Sequence, residues 1–363
     1  VSLTNASLPR AWRLSLLALL LISCAGSGAA QTAPRRVILL IADGAGVEHW
    51  TLAKFARQGL AVGDFEVAGL VDTRGSGHVV TGSAAGATAL ATGTRTFFGA
   101  VSVGPDSTPR QTVLEAAKAR GMATGLVTTT WIVDATPAAF ASHVSSRSQL
   151  LDIMKQMTEL PVDVLLGGGR GILGRAEGTN SIDLRRRVMA RYTYIETAAE
   201  LEQLNTDSVT TLLGLFALGE MPRAPERSPG LTSMMATALA ILDRDPDGFF
   251  LMVENEGSDT EAHAHVERDV LVAEMLDFDD AVRVALEYQE RHPETLVVVT
   301  ADHETGGLSL TPDQDRNVIL QYSTLGHTAA LVPLFASGPG AERFGGLKEN
   351  WEIGRLLLEA VAR

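Results

Sequence analysis

Six largely apolar runs punctuate the chain, at Arg36–Ile41, Met122–Val127, Val162–Leu166, Phe249–Val253, Thr295–Val299 and Leu331–Ala336. None alternates with polar residues, so each reads as a strand buried on both faces, as in a parallel sheet. Between these runs, apolar residues recur at helical spacing over Ser83–Ala91, Gln111–Ala119, Leu231–Leu242, Arg268–Gln289 and Trp351–Val361. Strands that alternate with helices predict an α/β fold, a three-layer α/β/α sandwich around a largely parallel central sheet. No internal repeat is visible. The stretch from Gly167 to Pro229, richer in Gly, Arg and Pro, reads as periphery, and residues 36–363 read as a single domain.

A shorter apolar run, Leu14–Ile22, follows Arg10 and Arg13. It is too short to span a membrane as a mature helix and suits the core of an export signal. Residues 1–30 are therefore read as a signal peptide or lipoprotein signal, and 31–35 as a linker. Leu21-Ile22-Ser23-Cys24 resembles a lipobox that would place a lipid on Cys24, whereas Gly28-Ala29-Ala30 offers small residues for ordinary cleavage. Either reading predicts an exported chain: periplasmic, lipid-anchored to the outer membrane through Cys24, or extracellular.

Composition narrows the chemistry. Apolar residues make up 45% and charged residues 20% of the chain, which argues against global disorder. The net charge of −13 disfavours nucleic acid or an anionic membrane surface as a partner. The same charge would repel an anionic substrate unless bound divalent cations reverse the local field. Cys24 is the one cysteine, so any metal must be held by His, Asp and Glu.

Five segments carry candidate ligands, most of them at a strand's end, where open α/β sheets bind. Asp43-Gly44-Ala45-Gly46 offers a carboxylate beside glycines. In Thr81-Gly82-Ser83-Ala84-Ala85-Gly86, small residues open a helix with Ser83 in its first turn, where free N–H groups favour an anion. Asp134 and Thr136 are hard oxygen ligands suited to Mg²⁺, and Arg147 has the planar fork that clamps phosphate. In Glu254-Asn255-Glu256-Gly257-Ser258-Asp259-Thr260-Glu261-Ala262-His263, Asp259 and His263 share a helical face and can chelate one zinc. Asp302-His303 closes the Thr295–Val299 strand, and His327 lies further on. Read one at a time, each has a plain alternative: a turn Asp, an N-cap Ser, a surface Arg or a solvated acidic face.

Together, DGAG, TGSAAGATA, DATPAA, HVSSR, LLGGG, MVENEGSD…H, VTADHETGG and GHT resemble the alkaline phosphatase family, in that family's order from residue 38 to about 340. The resemblance implies an alkaline phosphatase-like catalytic domain over 36–363 that hydrolyses phosphomonoesters with broad specificity. Ser83 would become a phosphoserine. Asp43, Asp302 and His303 would hold one zinc, and Asp259, His263 and His327 a second. Thr136 and Glu254, with Asp43 bridging, would hold magnesium. Arg147 would clamp phosphate, and Asp134 would orient magnesium-bound water. Two metals roughly 4 Å apart suit in-line displacement, with activity rising into the alkaline range. The implied partners are small phosphate monoesters and inorganic phosphate, with no nucleic acid.

Three departures from the family pattern stand out. Gly82 replaces an Asp common before the serine, so Arg147 is expected to be held more loosely and phosphate released faster. Thr260 replaces a Lys or His, leaving the third metal less defined. About twenty residues separate His303 from His327, where larger relatives insert a crown-like domain, so a monomer or weak dimer is expected. The alternatives are a phosphodiesterase or phosphonate monoesterase of the same superfamily and, from another class, a catalytically inactive phosphate- or metal-binding lipoprotein. Glu256, Glu261, His265 and Glu304 are read as supporting or surface residues, His143 as support near Arg147, and His49, His78 and His292 as without chemistry.

Overall fold

Ten strands form one sheet in a computed structural model that describes residues 33–175 and 179–362. The expected export signal and Cys24 lie outside the described residues. In chain order the strands are β1 (Arg36–Ala42), β2 (Val67–Asp72), β3 (Ala123–Trp131), β4 (Val164–Gly168), β5 (Thr193–Ile195), β6 (Leu212–Leu215), β7 (Phe249–Asn255) and β8 (Thr295–Thr300), then Val332–Ser337 and Gly346–Glu349. Across the sheet the order is Gly346–Glu349, β2, Val332–Ser337, β8, β1, β7, β3, β4, β6, β5. Pairing is parallel except at Val332–Ser337, which runs against both β2 and β8. No helix intervenes between β8 and that strand, so the return is antiparallel.

All six expected strands form. β2, β5, β6 and Gly346–Glu349 are additional, at or near the two edges. Edge strands need no unbroken apolar run: β2 alternates in exposure, and β5 and β6 are three and four residues long. The central strands β1, β7 and β8 are buried along nearly their whole length.

Helices cover both faces, giving the three-layer α/β arrangement expected. One layer packs Ser83–Thr92 against Ala135–Ala141 and Asn350–Ala362; the other packs Arg268–Arg291 against Val47–Ala56 and Leu231–Leu242. Every residue of Ser83–Thr92 is buried, which explains its small side chains. A Cβ on Gly86 would stand 2.8 Å from the Asp302 carbonyl oxygen, and one on Gly354 would stand 2.2 Å from that of Ala89. Glycine at both positions lets the helix lie directly on the Asp302 segment and on its neighbouring helix. Among the described residues, no helix is long and apolar enough to cross a membrane.

A buried polar network braces the end of β7. Arg227 donates to Glu274 at 2.8 Å and to Asp277 at 2.5 Å, and Glu274 also accepts from Asn255 Nδ2 at 3.2 Å. Gly257 passes close over the Glu274 carboxylate, where no Cβ would fit. The turn that follows Glu254 is therefore tied to the long Arg268–Arg291 helix.

His49 is fully buried in the Val47–Ala56 helix, with Nδ1 accepting from the Gly46 N–H at 3.2 Å. Burial lowers its imidazole from 6.5 to about 4. The unfolded chain takes up this proton near pH 6.5 and the folded chain only near 4, so stability falls as pH drops through that window. The shift corresponds to about 3 kcal/mol. Urea denaturation from pH 7 to 4 should show this loss in the wild type and a shallower one in His49→Asn. Parallel slopes would contradict it.

Candidate active site and metal centre

The parallel register sets the site. Thr300, Ile41, Glu254 and Thr128 stand side by side on β8, β1, β7 and β3. Just beyond them come Asp302, Asp43 and Glu256. Adjacent strands lie about 4.8 Å apart, so side chains leaving these ends meet over one small area. The backbone N–H of Asp43 donates to the Asn255 carbonyl at 3.0 Å, and Ser258 Oγ donates to that of Asp43 at 2.6 Å, fixing the turns to each other.

Three groups of ligand atoms converge there. In the first, His303 Nε2 lies 3.3 Å from Ser83 Oγ, 3.5 Å from Asp43 Oδ1 and 3.2 Å from Asp302 Oδ2. These three residues are fully buried, and Asp43 Oδ1 and Asp302 Oδ2 accept no hydrogen bond. Carboxylate atoms that converge without hydrogen bonds are arranged as cation ligands are.

The second group joins Asp259, His263 and His327. His327 Nδ1 donates to the Thr81 carbonyl at 2.8 Å, and His263 Nδ1 donates to that of Leu325. A carbonyl only accepts, so the proton sits on each Nδ1 and a neutral ring turns its Nε2 lone pair inward. The two Nε2 atoms are 3.0 Å apart, with Asp259 Oδ2 3.3 Å from that of His263. The hydrogen bond to Asp259 draws His263 up to about 9. Although burial opposes it, the His263 and Thr305 hydrogen bonds and the His303 charge hold Asp259 well below its usual range. A proton or a metal ion satisfies this cluster, and the two compete.

The third group is Asp43, Glu254 and Glu256, whose ligand oxygens lie within 4.8 Å of one another. Thr136 Oγ1 donates to Asp43 Oδ2 at 3.3 Å, and Thr128 Oγ1 to Glu254 Oε2 at 2.6 Å, while Glu254 Oε1 has no partner. Burial pushes the Glu254 carboxyl up to about 8. Burial, together with neighbouring carboxylates, also drives Asp43 and Glu256 well above their usual range. A divalent cation offsets both causes, so the donor set of all three groups fits the metals that the sequence resemblance implies.

Ser83 is the first residue of its helix, after Gly82 in extended backbone, so its Oγ lies at the helix's positive end. Arg147 Nη1 is 3.5 Å from Ser83 Oγ, and Nη2 donates to Asp134 Oδ1 at 2.5 Å. Burial works against the guanidinium charge, but Asp134, Glu256 and Asp43 more than offset it. Asp134 therefore fixes the direction of the Arg147 guanidinium, whereas Gly82 offers it no side chain. A Cβ on Gly82 would stand 2.7 Å from the Phe98 ring, so an aspartate there could enter only by displacing that ring.

All eleven residues singled out as candidates meet in this one region. Glu256, read as a supporting or surface residue, offers a carboxylate oxygen beside those of Asp43 and Glu254 in the third group. Glu256 lies just beyond the end of β7, in helical backbone that opens the next helix, so strand alternation does not place it on the face of Glu254. Thr128 and Thr305 were missed, because a threonine in an apolar run carries no chemical signature. Glu304 accepts from Gly307 and Leu308 N–H groups and from Thr328, which steadies the short pairing of Glu304–Thr305 with His327–Thr328. His143 bonds Glu115 and the Ser102 carbonyl, both at 2.8 Å, as support.

This geometry describes an α/β protein with a serine nucleophile candidate beside clustered cation ligands. A model of the family described as alkaline phosphatase matches residues 34–321. The chain is 36% identical to alkaline phosphatase 3 of Bacillus subtilis (strain 168), over 77% of this chain and 63% of that protein. It is 33% identical to the streptomycin-6-phosphate phosphatase of Streptomyces griseus, over 93% and 94%. The structure of the alkaline phosphatase from the Antarctic bacterium TAB5 superposes with a TM-score of 0.83 at 33% identity, covering 91% of this chain and 99% of that one. A variant of the TAB5 enzyme, 32% identical to this chain, carries magnesium in a site called M3. The chain belongs to the alkaline phosphatase family. It spans a little under two thirds of the length of alkaline phosphatases 3 and 4 of Bacillus subtilis.

The position of Glu256 gives a direct test. Calorimetric titration of chelator-stripped protein with magnesium should show affinity about tenfold weaker in Glu256→Gln than in wild type. Equal affinities would remove Glu256 from the ligand set.

Proposed function

We propose that this chain is a metal-dependent phosphomonoester hydrolase that works through a phosphoserine at Ser83, with broad monoester specificity. The observation that carries this reading is the placement of Ser83 Oγ, 3.3 Å from His303 Nε2 and 3.5 Å from Arg147 Nη1, at the N-terminus of a buried helix. Zinc held by Asp43, Asp302 and His303, zinc held by Asp259, His263 and His327, and magnesium held by Asp43, Thr136, Glu254 and Glu256 would supply, when bound, the positive charge that ionises the serine and stabilises the departing alcohol oxygen.

The chain's own groups do the rest. Arg147 binds two phosphate oxygens through its planar fork, and Asp134 fixes the fork's direction. Free N–H groups of the Ser83–Thr92 helix face the same phosphate. Ser83 Oγ forms a bond to phosphorus as the bond to the alcohol oxygen breaks, and the alcohol leaves with a proton. Water then attacks phosphorus, breaks the Ser83 ester and releases inorganic phosphate. Positioning and charge stabilisation dominate such a transfer. The substrate class is small phosphate monoesters, in keeping with relatives named as phosphatases. On this reading the enzyme acts outside the cytoplasm as a monomer or weak dimer, exported by residues 1–30 with or without a lipid on Cys24.

Acid quenching during turnover of a nitrophenyl phosphate monoester, followed by peptide mass spectrometry, should find phosphate on Ser83 and none in Ser83→Ala. Chelator stripping should lower monoester turnover about a thousandfold, with recovery on adding zinc and magnesium. Full activity in stripped protein would defeat the reading. Faster cleavage of the matching diester would favour a phosphodiesterase.

A further inference from the structure

The rim of this site is apolar on one side. The Phe98 ring is 61% exposed, although it lies against the backbone of Gly82, the residue before Ser83. A Cβ built on Gly82 would stand 2.7 Å from Phe98 Cε2 and 3.6 Å from His327 Cε1, so the ring flanks the group formed by Asp259, His263 and His327. The carbonyls that orient the two imidazoles belong to Thr81 and Leu325. Leu325 is 68% exposed, and Val80, next to Thr81, is 39% exposed. The backbone of Gly99, directly after Phe98, accepts from the Arg147 N–H at 2.8 Å. Phe98 is thus anchored between the phosphate clamp and the second ligand group.

Geometry decides which part of a substrate meets this rim. Ser83 Oγ stands beside His303 of the first group, so in-line attack sends the departing alcohol oxygen away from it, towards the second group. The carbon skeleton of that alcohol then projects past His327 towards Phe98, whose ring lies beside Gly82 on that side. An exposed aromatic ring there gains more from covering an apolar or aromatic skeleton than from a polyol.

Resting on the phosphomonoesterase reading above, we propose that Phe98 is a specificity-determining residue, with its ring forming a shelf for the alcohol portion of aryl and arylalkyl phosphate monoesters. Gly82 makes the shelf possible, because any side chain there would push the ring away.

The test compares 2-phenylethyl phosphate with ethyl phosphate, whose alcohols are similarly basic, so that differences in bond breaking cancel. The wild type should favour the phenylethyl ester in kcat/KM by about tenfold. Phe98→Ala should bring that ratio close to one, chiefly through KM, while Phe98→Tyr should keep it. Gly82→Ala should lower it in the same direction by displacing the ring. Competitive inhibition by 2-phenylethylphosphonate against ethylphosphonate should give the same ordering without turnover. An unchanged ratio in Phe98→Ala, even with both rates reduced, overturns the shelf and leaves the hydrolase reading standing. Equal wild-type rates on the two esters also overturn it. If the wild type cleaves neither ester, the hydrolase reading falls and the shelf with it.

Discussion

Repulsion among carboxylates buried at the C-terminal ends of β1, β7 and β8 is the constraint on which the rest of the structure depends. Asp43, Glu254 and Asp302 are shut away from water, with Glu256 and Asp259 beside them. Neighbouring strands at their natural spacing bring these side chains together whether or not their charges agree. Such an arrangement is tenable when protons or bound cations relieve the repulsion, and the unpaired oxygens of Asp43, Glu254 and Asp302 mark where a cation would sit. The facing Nε2 atoms of His263 and His327 make the same demand a short distance away. A net charge of −13 therefore does not exclude an anionic substrate, because the local field belongs to whatever cations these groups hold.

The scaffold around this cluster is stiff where the ligands leave it. The Ser83–Thr92 helix can lie on the Asp302 segment only because Gly86 carries no side chain. The Arg227–Glu274 pair ties the Asn255 turn to the long Arg268–Arg291 helix. Asp134 caps the Ala135–Ala141 helix through the Ala135 N–H at 2.7 Å and holds Arg147 with the same carboxylate oxygen. Each catalytic candidate is thus fixed by contacts that also stabilise the fold, which keeps reorganisation small when charge develops.

His327 arrives by a different route. The segment between His303 and His327 forms the hairpin of Ser309–Pro312 with Val318–Gln321 and the short pairing of Glu304–Thr305 with His327–Thr328. This compact return leaves Leu325 exposed while its carbonyl accepts from His263 Nδ1.

Much of this was legible along the chain. Mostly apolar runs marked the central strands because a strand buried on both faces admits few polar positions, such as Thr128 and Glu254 at the site end, and the small-residue run at Ser83 marked a helix with no room around it. Edge strands such as β2 left no such mark, since half of each faces solvent. Residue type and spacing nominated Asp43, Asp259, His263, Asp302 and His303, because metals and phosphate accept few donors. Which atoms converge was settled only in three dimensions: Glu256 joins the third group, Asp134 grips Arg147, and Phe98 occupies the space beside Gly82. Those relations join residues far apart in the chain, and register and packing, not local pattern, bring them within a few ångströms.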